Sequence, residues 1–131
     1  MLKSIAQVTA LAAILSAAAV TGAWAASPAK TAETSLGKTL VNPEGMTLYT
    51  FGKDTAPGKS ACNGPCAGNW PPLKAAAGTQ SEHDYSVITR DDGSAQWAYK
   101  GKPLYTFIKD TKPGDVTGQG VANGAWQVAK P

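Results

Sequence analysis

A chain of 131 residues is long enough for one domain and too short for two ordinary ones. Its 43% hydrophobic content argues against a disordered chain, and 16% charged residues argue against a coiled coil. The 12 basic and 9 acidic residues give a net charge of +3 with no basic run, and Arg90 is the only arginine, so no nucleic-acid partner is expected.

Residues 1–25 read as a secretory signal. Lys3 supplies the positive start, Ile5 to Val20 the apolar stretch, and Ala23-Trp24-Ala25 the small-x-small cleavage pattern. The competing reading, a membrane anchor, is weakened by Gln7, Thr9, Ser16 and Thr21 within the apolar run. A lipid anchor would need a cysteine at the cleavage site, yet the first cysteine is Cys62. The mature protein is therefore expected to start at Ala26, to carry no membrane anchor, and to be periplasmic or secreted. Residues 26–35 are small and polar and read as a flexible leader.

A repeat organises the rest, so 36–131 reads as one domain. Leu48-Tyr49-Thr50-Phe51 returns 56 positions later as Leu104-Tyr105-Thr106-Phe107. At the same offset Gly37 maps to Gly93, Gly45 to Gly101, Asp54 to Asp110 and Trp70 to Trp126. Segments 37–72 and 93–128 share 14 identities in 36 ungapped positions, which marks a tandem duplication.

Each copy carries strand signals. Thr39–Val41, the turn at 42–45 and Met46–Phe51 read as strand, turn and strand. Ala95–Tyr99, the turn at 100–103 and Leu104–Ile108 repeat the pattern. Tyr85–Thr89 is a further strand, and Asp91-Asp92-Gly93 turns it into the next. Segments near Trp70 and at Trp126–Val128 read as edge strands, and 71–77 as one short helical turn. Within Leu-Tyr-Thr-Phe the alternation sends Tyr and Phe to one face and Leu and Thr to the other. The expected fold is mostly β, one small domain of two tandem repeats related by pseudo-two-fold symmetry.

The spacing Tyr-x-Phe-x-x-Asp, present as Tyr49/Phe51/Asp54 and Tyr105/Phe107/Asp110, resembles a family of predicted bacterial lipoproteins named for a Yx(FWY)xxD motif. That family is also described as a secreted repeat of unknown function. Cys62-Asn-Gly-Pro-Cys66 followed by Trp70-Pro71-Pro72 is similar to its first-copy signature, and Gly118-Gln119-Gly120 with Trp126 to its second. The resemblance implies a repeat architecture, export and an association with alkane catabolism. It implies no established chemistry.

Few residues have catalytic potential. Cys62 and Cys66 read as a disulfide in an oxidising compartment, with a redox-active dithiol as the alternative. The second copy has Gly118 and Ala122 in their places, so a repeat can fold without the bridge. A metal would have to be held by Cys62, Cys66, His83 and a carboxylate such as Asp84, too poor a set for an expected site. Asp54 and Asp110 each precede a Thr-x-Pro-Gly turn and read as acceptors for their own turn backbones. Tyr49, Phe51, Trp70, Tyr105, Phe107 and Trp126 read as scaffold. Trp97 and Tyr99, with Val41 and Pro43 as their first-copy counterparts, are the candidate ligand surface.

These residues point to an exported, non-catalytic binding or accessory protein of the cell envelope. No cofactor is implied, and a small apolar ligand or an envelope protein is the expected kind of partner. A small redox component and a purely structural envelope module are the alternatives. Intact mass of the exported protein should place its first residue at Ala26; a mass that retains residues 1–25 overturns cleavage.

Overall fold

The computed structural model describes residues 27–131, so the signal-like segment 1–25 lies outside the described residues. In chain order the elements are β1 (Lys30–Thr34), β2 (Gly37–Val41), β3 (Tyr49–Phe51), α1 (Pro65–Asn69), β4 (Tyr85–Thr89), β5 (Ala95–Tyr99), β6 (Lys102–Pro103), α2 (Val121–Gly124) and β7 (Trp126–Val128). The fold is mostly β, built from two tandem repeats.

Each repeat opens with an antiparallel hairpin, β1 with β2 from Lys30↔Val41 to Thr34↔Gly37 and β4 with β5 from Tyr85↔Tyr99 to Thr89↔Ala95. Both hairpins reverse through a glycine of positive φ, Gly37 at 91° and Gly93 at 89°, where a Cβ would be strained. The expectation of a loose leader over 26–35 is corrected here. Residues 30–34 are a strand, and Ala29 is buried against Leu40, Leu48 and Leu104. The strand was hidden because its side chains are mostly exposed, which leaves no apolar alternation to read.

The two repeats meet at their matching tyrosines. Tyr49 and Tyr105 pair antiparallel, each N–H donating to the other's carbonyl, at 2.8 and 3.0 Å. A reciprocal pair between repeat-equivalent residues is what a two-fold axis through that point requires. The flanking strands obey the same symmetry. Tyr49 pairs on its outer side with Val128 of β7, and Tyr105 pairs on its outer side with Pro72. The Gly52 N–H reaches the Ala125 carbonyl, and the Ile108 N–H reaches the Asn69 carbonyl.

Three local expectations change. The strand expected over 104–108 is broken into the isolated bridges of Tyr105 and single bonds from Thr106 to Pro71 and from Ile108 to Asn69, because its neighbours Pro71 and Pro72 have no N–H to donate. Residues 71–77 form no helical turn: Lys74 bridges to Gln96, and Leu73 exchanges bonds with Leu104 and Trp97. Helical turns occur instead at Pro65–Asn69 and Val121–Gly124, which are repeat-equivalent, the second with Ala122 and Asn123 in left-handed conformation. The second hairpin is also slid by one residue. The Leu40 N–H donates to Ala129 and its carbonyl accepts from Leu48, whereas Trp97 bonds in the same way to Leu73 and Leu104. Leu40, not Val41, is thus the structural counterpart of Trp97.

The central ladder is buried on both faces. Leu40, Leu48, Leu104, Ala29 and Ala129 form an aliphatic cluster on one side. Tyr49, Tyr105, Trp70, Trp126, Phe107, Val128 and Cys62 form an aromatic cluster on the other. Inside it four rings stack in the order Phe51, Trp126, Trp70 and Phe107, with centroid separations of 4.2, 3.8 and 4.0 Å. The two indoles lie within 1° of parallel, and each meets a tyrosine edge-on, Tyr49 against Trp70 at 5.3 Å and Tyr105 against Trp126 at 5.1 Å.

Gly118 sits against this stack. A Cβ there would lie 2.7 Å from Trp70 Cη2, 2.9 Å from Tyr49 Cε2 and 3.0 Å from Phe107 Cδ2. Gly118→Ala should therefore lose about 1–3 kcal/mol of stability in urea unfolding, the usual result of overpacking a filled core. Gly68→Ala, in α1 with open space around it, should be neutral or slightly stabilising. Equal stability of the two variants would contradict this packing.

Candidate functional site

The motif residues form two crossed couples. Tyr49 Oη donates to Asp110 Oδ2 at 2.6 Å, and Tyr105 Oη donates to Asp54 Oδ2 at 2.6 Å. Each tyrosine therefore bonds the aspartate of the other repeat. The second carboxylate oxygen serves its own loop: Asp54 Oδ1 accepts from the Ala61 N–H, and Asp110 Oδ1 from the Thr117 N–H and hydroxyl. The sequence expectation of a local turn acceptor describes one oxygen of each aspartate, and the cross-repeat bond was not foreseen. Burial and then the carboxylate partner push both phenols well above the usual tyrosine range, so both remain protonated donors.

The two couples differ in their surroundings. In the second repeat the Gly118 N–H donates directly to Tyr49 Oη at 3.1 Å. In the first, Ser60 Oγ lies 2.6 Å from Tyr105 Oη and accepts from the Cys62 N–H and from Arg90 Nη1. Tyr105 gives its one proton to Asp54, so Ser60 is the donor to Tyr105. Arg90, only 5% exposed, spends its other N–H groups on Gln96 Oε1, the Cys62 carbonyl and Asn63 Oδ1. Among the described residues no buried side-chain N or O lacks a partner. Sequence reasoning used Arg90 only as a count and did not single out Ser60. Its change to Val116 in the second copy was the available signal.

Asp54 is the more open of the two acids. Burial raises its carboxyl above the usual range, while Tyr105, the Ala61 N–H and the Arg90 charge pull it back. It lines a surface cavity of about 390 Å³ with Lys53, Lys59, Ser60 and Asp91. Asp110 is 6% exposed.

Cys62 and Cys66 are joined in a disulfide. Cys62 is fully buried in the aromatic cluster and Cys66 packs at its edge. His83 is exposed on a loop. Among the described residues no three His, Cys, Asp or Glu side chains gather as metal ligands, and no helix is long and apolar enough to cross a membrane.

Trp97 and Tyr99 have separate fates. Trp97 is 8% exposed, with Tyr85 edge-on to its ring, so it is a core residue and not a surface contact. Tyr99 is half-buried and lines a groove of about 410 Å³ together with Lys100, Lys102, Lys130, Thr50 and Gln127. Lys100 Nζ stands 5.2 Å from the Tyr99 ring centroid. Among the described residues no carboxylate lines this groove.

Because folding raises the Asp54 carboxyl above its unfolded value, its contribution to stability is full in acid and is lost as pH rises through the raised value. The stability of the parent minus that of Asp54→Asn should therefore fall from acid to neutral pH in urea titrations. A difference independent of pH, or one growing with pH, would reject the assigned shift.

Comparison with known proteins fits the duplicated architecture. The family described as a secreted repeat of unknown function matches residues 30–74 and again 86–130. Both matches begin at the opening strand of a hairpin, one strand earlier than the repeat read from sequence identity. Curated proteins and solved structures return no match. With two tandem matches covering most of its length, the chain belongs to the family of secreted repeats of unknown function.

Proposed function

We propose that the protein is an exported, non-catalytic binding module of the periplasm or cell surface, and that its ligand is anionic. The observation that carries this is the groove around Tyr99, which breaks the two-fold symmetry. The residues held in common by the repeats, Tyr49/Tyr105, Asp54/Asp110 and Trp70/Trp126, are engaged in joining the halves. The groove adds residues that differ between copies to the shared Thr50 and Gly124. Lys102 corresponds to Met46, Lys100 lies in the shortened turn that replaces Asn42–Gly45, and Gly52, on the groove lining, corresponds to Ile108.

Lys100 and Lys102, joined on the lining by Lys130, whose ammonium donates to the Leu36 carbonyl, favour phosphate, sulfate or carboxylate groups, since no carboxylate lines the groove among the described residues. Tyr99 adds a ring face, and Thr50 and Gln127 add hydrogen-bonding side chains. A phosphate- or carboxylate-bearing envelope polymer fits this lining better than an alkane chain. The family's association with hydrocarbon catabolism would then reflect an accessory role and not a hydrocarbon seat. The two large apolar side chains exposed among the described residues, Leu36 and Ile108, do not line the groove.

Polyphosphate titrated into the protein, followed by calorimetry, should bind saturably and weaken as salt rises. The Lys100→Glu/Lys102→Glu variant should bind at least about tenfold less tightly, equivalent to about 1.4 kcal/mol. Both lysines are exposed, so the variant should melt like the parent. Unchanged affinity in the variant, or preferential binding of a neutral alkyl chain, overturns the assignment.

A further inference from the structure

We propose that Tyr105, Asp54 and the stacked indoles of Trp126 and Trp70 form a one-electron relay, in which Tyr105 is oxidised to its neutral radical as its phenolic proton passes to Asp54. Three independent features of the core point to it. The first is the hydrogen bond of 2.6 Å from Tyr105 Oη to Asp54 Oδ2. A buried phenol that loses an electron becomes a strong acid, and a carboxylate already on its proton lets both leave together. The fold has oriented that acceptor in advance.

The second feature is the aromatic stack. The Tyr105 ring meets Trp126 edge-on at 5.1 Å, and Trp126 lies face to face with Trp70 at 3.8 Å. Tyrosine and tryptophan are the side chains most readily oxidised by one electron without a cofactor, and two parallel indoles in contact share the electron hole. Phe51, half-buried, closes the Trp126 end of the stack at 4.2 Å and brings it to the surface.

The third is a path for the proton. Asp54 opens on the cavity lined by Lys53, Lys59, Ser60 and Asp91. The twin couple, Tyr49 with Asp110, has the same bond length but an acid closed off from solvent. The relay therefore works through Tyr105, and Tyr49 is its silent counterpart.

The step balances with a one-electron oxidant of the peroxyl-radical class. The Tyr105 O–H bond breaks, its electron reduces the peroxyl radical to hydroperoxide anion, and its proton moves to Asp54 Oδ2. Asp54 then releases the proton through the cavity, where it neutralises the hydroperoxide anion. A hydrogen-donating reductant of the ascorbate class restores the phenol.

The chain supplies its own controls, since Tyr85 and Tyr99 face each other at 5.0 Å outside the stack and have no carboxylate hydrogen bond among the described residues. The exported protein would be oxidised by azide radical in pulse radiolysis. Tyrosyl and indolyl radicals would be followed by transient absorption and freeze-quench electron paramagnetic resonance. The tyrosyl signal should persist in a Tyr85→Phe/Tyr99→Phe variant and be largely lost in Tyr105→Phe. Asp54→Asn should retain Tyr105 but form its radical about a hundredfold more slowly, the lower end of what a positioned proton acceptor contributes. Near-UV circular dichroism checks that each variant keeps the indole stack; if Tyr105→Phe disturbs it, the Asp54→Asn rate decides alone. A radical that resides on Tyr85 or Tyr99, or a parental rate in Asp54→Asn, overturns the relay.

Discussion

The reciprocal backbone pair between Tyr49 and Tyr105 is the constraint on which the rest of the structure depends. Once two repeat-equivalent residues exchange both hydrogen bonds, the halves can differ in position only by a rotation of about 180° at that point. The axis brings Trp70 onto Trp126 and delivers each phenol to the carboxylate of the opposite repeat. Neither copy completes its own motif, so the buried phenols and the carboxylates are satisfied only when both halves are folded against each other. A buried donor or acceptor left without its partner typically costs 1–3 kcal/mol. The crossed bonds therefore oppose any arrangement in which one half folds and the other does not.

Around this symmetric centre the copies have diverged where the core meets the loops. Gly118 lets Trp70, Tyr49 and Phe107 close up in the second half, whereas the first half carries the side chain of Cys62 at the equivalent place. The first half fills the remaining polar requirement with Ser60 and Arg90, which the second half replaces with a direct backbone donor to Tyr49. Arg90 lies in the turn region after β4 yet bonds the carbonyl of Cys62, so it ties the second hairpin to the disulfide loop. A buried guanidinium with no carboxylate in ion-pair contact among the described residues is tolerated because neutral oxygens accept its N–H groups.

The same divergence separates scaffold from surface. Strand β5 is slid by one residue relative to its counterpart, and the loss is taken up in the turn that follows. Lys100 and Gly101 make a two-residue turn with positive φ at both positions, where the first copy has the longer Asn42–Gly45 turn. The slide sends Trp97 into the core and presents Tyr99, Lys100 and Lys102 along the groove. A gapless comparison of the copies pairs Trp97 with Val41, because insertion and deletion cancel before Leu104 is reached.

By itself the sequence determined the duplication, the turns, the cysteine pair and the alternation that divides Tyr and Phe from Leu and Thr. Each is a local matter of spacing, turn chemistry or period, which the chain displays in one dimension. It did not reveal β1, whose polar exposed residues carry no apolar pattern and whose strand exists because β2 offers an edge to pair with. Nor did it assign partners to the motif residues. With Tyr-x-Phe-x-x-Asp present twice, a bond within a copy and a bond across copies are equally compatible with the residues. Only the tertiary structure chose the crossed arrangement, because the Tyr49–Tyr105 pairing points each phenol over the axis and into the loop of the other repeat.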